Sequence, residues 1–95
     1  MGSAPGIQEP EEFHIRKVMG EVLLIGDLAA RTGLSIHTIN YYIKLGLIVE
    51  AGRATRSGFR LFGDEALQKL LAIIELRQHE VPIREIIARK QNGVL

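Results

Sequence analysis

Two short helical segments separated by four residues are the feature that most constrains the fold of this 95-residue chain. They lie within residues 26–47, and Thr32-Gly33-Leu34-Ser35 stands between them. A glycine ends a helix well because it adopts the left-handed conformation without strain, and a serine hydroxyl can cap the first N–H groups of the next helix. This order of residues predicts a helix-turn-helix.

The spacing of apolar residues predicts further helices after this motif. Asp64 and Glu65 suit the first turn of a third helix, where the helix dipole favours acidic side chains. Pro82 suits the first turn of a fourth helix, and Gly93 ends it. The expected helices cover residues 25–32, 36–45, 64–79 and 82–91.

A β-hairpin is expected between the second and third helices. Residues 47–49 read as one short strand and residues 59–62 alternate like a second, with a Gly-, Arg- and Ser-rich turn region at 52–58 between them. A basic hairpin after a helix-turn-helix is the wing of winged-helix proteins. The expected fold is therefore mainly α, a winged helix-turn-helix with about four helices and a two-stranded β-hairpin wing.

The length allows one small domain, which we place at residues 23–91. Residues 1–12 have the composition of a disordered or non-native lead-in, and residues 13–22 form an N-terminal extension that can hold a short helix at about 11–19. No apolar run approaches the roughly 20 residues of a membrane span, and no secretory signal is recognisable. We therefore expect a soluble protein of the cytoplasm, associated with the nucleoid.

The net charge of +1 conceals an uneven distribution of charge. Residues 1–30 carry two bases and five acids, a net −3, and residues 61–95 carry five of each. Residues 31–60 carry five bases against one acid, Glu50, a net +4. Such a stretch is as typical of a solvated surface as of a binding site. Its position on and after the helix-turn-helix is what favours contact with a phosphate backbone.

The second helix divides into two sides when its residues are placed at about 100° intervals. Ile36, Ile39 and Ile43 fall on one side and are expected to pack onto the first helix. Any surface helix has a polar side, but here a helix-turn-helix precedes it and a basic hairpin follows it. The polar side is an outward arc formed by His37, Asn40, Tyr41 and Lys44.

The chemistry of this arc suits DNA. A major groove about 12 Å wide admits a helix, and its base edges offer hydrogen-bond partners. Asn40 can pair bidentately with adenine N6 and N7, and His37 can donate or accept at a base edge. Tyr41 and Lys44 are better placed for phosphates, which position a protein without reading sequence. Tyr42 lies off the arc and is the better candidate for the core.

The joint pattern resembles the DNA-binding domain of the MerR family of transcription regulators. The resemblance spans residues 24–89 and is carried by residues 25–48, by Arg-Ser-Gly-Phe-Arg-Leu-Phe at 56–62 and by the acidic helix start after them. It implies that the helix at 36–45 lies in the major groove and the wing at 52–60 on the flanking backbone. With the basic residues of this segment, the expected backbone contacts are Tyr41, Tyr42, Lys44, Arg53, Arg56, Ser57, Phe59 and Arg60.

Several positions depart from the family pattern. Asn40 stands where an arginine is common, which should change the bases that are read, at roughly 1–3 kcal/mol for a lost bidentate arginine. Ile43 replaces an acidic residue, and Leu24 replaces a hydroxyl cap before the first helix. Glu80 and Val81 replace a glycine and an aromatic residue in the turn before the fourth helix.

The resemblance implies sequence-specific binding to a palindromic promoter operator in double-stranded DNA. Family members dimerise through a long helix that would follow Leu95, so we expect a homodimer for the full-length protein and a monomer for this segment alone. The segment is then either an N-terminal domain or a minimal stand-alone binder. An excisionase-like architectural DNA binder remains an alternative. A protein-interaction module is a weaker one, because the wing is basic.

No enzymatic site is recognisable in the sequence. His14, His37 and His79 lie on different predicted elements, and no acid–histidine or phosphate-loop spacing occurs. The chain has no cysteine, which excludes a disulfide, a thiolate metal site and a thiol nucleophile. We therefore expect neither an enzyme nor a bound cofactor or metal.

Overall fold

The computed structural model describes residues 21–95. Within this part of the chain the structure confirms the predicted class, a mainly helical winged helix-turn-helix. The lead-in at 1–12, most of the extension and the helix predicted at 11–19 lie outside the described residues. In chain order, the elements are α1 (Ile25–Thr32), α2 (Ile36–Lys44), β1 (Gly52–Arg53), β2 (Arg60–Leu61), α3 (Asp64–Gln78) and α4 (Ile83–Gln91).

The turn between α1 and α2 is formed by Gly33 and Ser35, the residues on which its prediction was based. Gly33 adopts the left-handed conformation, with φ at 78°, and its N–H donates to Ala29 O at 2.9 Å. The Ser35 hydroxyl accepts from the Thr38 N–H at 3.0 Å and so caps α2. Thr32 Oγ1 accepts from the Leu34 N–H at 3.2 Å. Local hydrogen bonds therefore fix where α1 ends and where α2 begins.

Replacing Ser35 with alanine is expected to lower the free energy of unfolding by about 1 kcal/mol. The substitution leaves the Thr38 N–H without its acceptor at the start of α2. Urea unfolding followed by circular dichroism measures the change. Ser35→Asp keeps an acceptor at this position and should retain most of the stability. Equal losses in the two variants would contradict the capping role.

The start of α1 uses an acidic residue in place of the missing hydroxyl cap. Leu24 is the residue before the first turn, and its side chain can accept no hydrogen bond. Asp27 Oδ2 instead accepts from the Leu24 N–H at 2.8 Å, the reach-back half of a capping box. At the other end of the domain, Pro82 lies just before α4 and not in its first turn, so this helix begins one residue later than predicted.

The first strand of the hairpin was wrongly predicted. Residues 47–49 form no strand; Leu47 and Ile48 are each 1 % exposed and belong to the core. Their apolar character reflects burial against the helices and not sheet pairing. The strand that forms is Gly52–Arg53, which pairs antiparallel with Arg60–Leu61. The second strand is therefore confirmed in position.

The base of the hairpin is joined to the chain that precedes α1. Leu23 and Phe62 form an antiparallel bridge, in which each N–H donates to the other's carbonyl oxygen at 2.8 Å. Val22, Ala54 and Leu61 form a small buried cluster beside this bridge. The end of β2 is thus linked to the segment before α1, and Leu23 and Phe62 both belong to the main core cluster.

The core is mainly aliphatic, with Tyr42 and Phe62 as its buried aromatic residues. Ile39 of α2 is fully buried and Ile43 packs against the core. The prediction that Ile36 also packs inward is wrong, because 46 % of its surface is exposed at the first position of α2. The largest fully buried side chains are those of Leu28, Ile39, Leu47, Ile48, Leu61, Phe62, Leu70, Ile73 and Ile86.

Candidate nucleic-acid interface

A side-chain contact joins the second helix to the wing. Arg60 Nη1 of β2 donates to Asn40 Oδ1 of α2 at 3.3 Å, across twenty residues of sequence. The sequence predicted both residues as DNA contacts but not this hydrogen bond. The contact places the polar arc of α2 beside one strand of the wing, so that the two predicted contact regions are continuous at this point.

Glu50 forms ion pairs with Arg53 and Arg60, which face each other across the hairpin. Arg53 and Arg60 are paired in the strand register, where like charges directly opposite each other are destabilising. Arg53 Nε donates to Glu50 Oε1 at 3.1 Å, and Arg60 Nε lies 3.5 Å from Glu50 Oε2. Oε2 is buried and lacks a hydrogen bond of good geometry among the described residues, so the ion pair with Arg60 is its compensation.

The polar arc of α2 is accessible. His37, Asn40, Tyr41 and Lys44 are all exposed, Tyr41 to 47 %. Each side chain could therefore meet a ligand without rearrangement of the core.

The adjacent tyrosines of α2 have different environments. The Tyr42 side chain is 8 % exposed and packs in the main core cluster. Its ring centroid lies 5.9 Å from that of Tyr41, which is exposed. The core position inferred from the helical spacing is confirmed. The backbone contact predicted for Tyr42 stays a prediction, and burial leaves only the edge of the side chain for it.

The tip of the wing is a tight turn that presents its side chains outward. Gly58 adopts the left-handed conformation, with φ at 73°, and its N–H donates to Ala54 O at 2.8 Å. The Ser57 hydroxyl accepts from the Phe59 N–H at 3.2 Å. Phe59 is 60 % exposed, and Arg53 and Arg56 are exposed as well.

A groove of about 390 Å³ lies between the start of α1, the start of α2 and the wing. Ile36 and Phe59 give it apolar walls, and Asn40 and Arg60 line it too. Sequence reasoning missed Ile36, which helical spacing assigned to the core, and Glu50, whose signal was its position as the one acid in residues 31–60. An exposed aliphatic side chain beside a base-reading residue can contact a thymine methyl group.

Comparison with known proteins decides the family. Residues 23–92 match the family described as MerR HTH family regulatory protein. The chain belongs to this family. Its members are DNA-binding regulators of transcription, which favours a regulator over the architectural and protein-interaction alternatives.

Individual relatives of this MerR-family domain are bacterial. It is 34 % identical over 74 residues to the transcriptional regulator BrlR of Pseudomonas aeruginosa, covering 78 % of this chain and 27 % of that protein. It is 31 % identical over 72 residues to the HTH-type transcriptional regulator CueR of Bacillus subtilis, covering 76 % and 49 %. With the HTH-type transcriptional regulator ZntR homolog of Haemophilus influenzae it shares 39 % over 62 residues, covering 65 % and 45 %. The chain thus spans from about a quarter to about half of the length of these relatives.

Two features of residues 21–95 bear on other classes of function. Within residues 21–95, no group of three or more His, Cys, Asp or Glu side chains is placed to hold a metal ion. In the same part of the MerR-family domain, no helix combines the length and the apolar character that crossing a bilayer requires.

Proposed function

We propose that this domain binds a specific sequence in double-stranded DNA, with α2 in the major groove and the wing, residues 52–60, on the flanking backbone. The hydrogen bond between Asn40 and Arg60 carries the proposal, because it joins the polar arc of α2 to the basic hairpin in one accessible surface. A helix-turn-helix needs such a surface, since phosphate contacts fix its register while a few side chains read the bases.

The proposed roles follow the position of each side chain. His37 and Asn40 read base edges, because both are exposed on the outward arc of α2. The remaining residues contact the sugar-phosphate backbone, through cationic, hydroxyl or aromatic side chains. They are Tyr41, Tyr42, Lys44, Arg53, Arg56, Ser57, Phe59 and Arg60.

A palindromic promoter operator and a homodimer complete the proposal. A symmetric operator requires two recognition helices about one DNA turn apart, and this chain holds one of them. The relatives are longer and are named as transcriptional regulators, which supports a dimer in a longer protein. We propose that the 95-residue chain alone is a monomer, acts without catalysis and functions in the bacterial cytoplasm at the nucleoid.

Nuclear magnetic resonance titration tests the proposed surface. Adding a duplex at low salt is expected to shift the backbone amide signals of residues 37–60 and to leave those of α4, Ile83–Gln91, nearly unchanged. Electrostatic attraction alone supplies enough affinity for this measurement with a non-specific duplex. Absence of shifts in residues 37–60 would contradict DNA binding by this surface.

A further inference from the structure

We propose that Arg60 fixes the side-chain amide of Asn40 and thereby makes α2 select guanine at the base pair that Asn40 reads. The inference rests on the proposed DNA-binding function and assigns a base specificity to it. It replaces the adenine contact that the sequence alone predicts for Asn40. The change from adenine to guanine follows from one contact, between Arg60 Nη1 and Asn40 Oδ1 at 3.3 Å.

The chemistry of arginine determines which end of the Asn40 amide faces the wing. A guanidinium carries N–H donors and no acceptor, so it can pair only with the carbonyl oxygen of an amide. Asn40 Oδ1 is therefore turned towards Arg60. The Nδ2 amino group, with its two donors, is the end of the amide that remains for a base.

Glu50 fixes the orientation of the Arg60 guanidinium through a second nitrogen. Its Nε lies 3.5 Å from Glu50 Oε2, while Nη1 donates to Asn40. Glu50 is anchored in turn by Arg53, whose Nε donates to Oε1 at 3.1 Å. A planar guanidinium held through two of its nitrogens keeps a defined orientation. The Asn40 carbonyl consequently has a positioned cation beside it before DNA is bound.

A positioned cation changes which base edge is favoured. The bidentate contact of asparagine with adenine requires its carbonyl oxygen to accept from the N6 amino group. The carbonyl oxygen has a second lone pair, but N6 hydrogens that approach it would also approach the Arg60 guanidinium, and their partial positive charge would be repelled by that cation. Guanine presents only acceptors, N7 and O6, in the major groove. The Asn40 amino group and the Arg60 guanidinium together form a donor surface that complements guanine.

This role for Arg60 is distinct from the phosphate contact proposed for the wing. A cation that meets only phosphate raises affinity for every sequence alike. A cation that orients Asn40 changes the preference at one base pair. Arg60 is thus a positioning residue for base reading, and base preference is the readout that separates the two roles.

The test is selection of bound sequences from a randomised duplex library at low salt, with the 95-residue chain. The base pair that Asn40 reads is identified as the position at which the selected sequences lose their base preference in Asn40→Ala. At this pair the unaltered chain is expected to favour guanine over adenine by about tenfold or more. Arg60→Ala is expected to shift the preference to adenine, because the released carbonyl can then accept from N6.

Two variants serve as controls. Lys44→Ala removes a proposed phosphate contact from α2; among the described residues, Lys44 makes no hydrogen bond or ion pair with Asn40, Arg60 or Glu50. It should weaken binding uniformly and leave the guanine preference unchanged. Arg60→Lys keeps the cation but loses the planar group that contacts Asn40 and Glu50 through different nitrogens, so its preference for guanine should lie between those of the unaltered chain and Arg60→Ala. Thermal unfolding confirms that each variant is folded.

The possible outcomes are separable. Adenine preferred by the unaltered chain, or a guanine preference that survives Arg60→Ala in folded protein, would overturn the inference and leave DNA binding intact. A library without any enriched sequence would overturn the proposed sequence-specific function, and the inference with it. A preference for guanine that becomes one for adenine in Arg60→Ala, but not in Lys44→Ala, supports it.

Discussion

Replacing Ile39 with alanine is expected to lower the free energy of unfolding by about 3 kcal/mol, within a range of roughly 2–5. Ile39 is fully buried at the centre of α2 and belongs to the main core cluster. Truncation removes apolar contacts and leaves a cavity that the surrounding helices only partly fill. A domain of this size has a total stability of about 5 kcal/mol, so a large fraction of the variant should unfold on mild heating.

Ile36→Ala is the matched control for this prediction. It alters the same residue type in the same helix, one turn earlier, where 46 % of the side chain is exposed. We expect a loss of less than about 1 kcal/mol, in proportion to the smaller apolar area removed from water. Urea denaturation followed by circular dichroism gives both values. Similar losses at the two positions would contradict the observed difference in burial.

Raising the salt concentration from 50 to 200 mM is expected to weaken DNA binding by about 150-fold. The proposed interface includes four cationic residues, and a protein that neutralises four phosphates releases their condensed counterions. The logarithm of the binding constant then falls by roughly 3.6 for each tenfold rise in salt. Fluorescence anisotropy with a labelled duplex measures this slope. The four residues are Lys44, Arg53, Arg56 and Arg60.

Single substitutions test whether residues of the proposed interface cause the salt dependence of binding. Arg56→Ala should reduce its magnitude by about 0.9, the value for one phosphate contact. Arg84 is exposed on α4, outside the proposed interface, so Arg84→Ala should leave the slope unchanged. A slope near zero, or equal effects of the two substitutions, would contradict phosphate binding by the wing.

Elements governed by neighbouring residues could be predicted from the sequence. Gly33 and Ser35 define the turn between α1 and α2 through backbone conformation and a hydrogen bond three residues away. Asp64 marks the first residue of α3 for the same kind of local reason. The contrast between exposed Tyr41 and buried Tyr42 followed from helical spacing alone. These features depend on contacts within a few residues of sequence.

Features that depend on distant contacts could not be predicted in this way. Leu47 and Ile48 have the composition of a strand, and only the packed helices show that they fill the core. The bond between Asn40 and Arg60 joins residues twenty positions apart, and no local pattern specifies their approach. Glu50 was visible as a lone acid among bases. Its pairing with two arginines depends on the strand register.

The burial of Leu47 and Ile48 has a mechanical consequence for the duplex. These residues directly follow α2, and the Leu47 N–H donates to Tyr42 O at 3.0 Å, so the connection to the wing is anchored in the core. Exposing a buried aliphatic side chain to water costs about 1.5–3 kcal/mol, so displacing both residues would cost about 3–6, whereas smooth bending of a binding site costs about 1–6. The two buried residues therefore favour bending of the DNA over displacement of this connection. We therefore expect the distance between α2 and the wing to stay the same on binding, and the DNA to bend to match it.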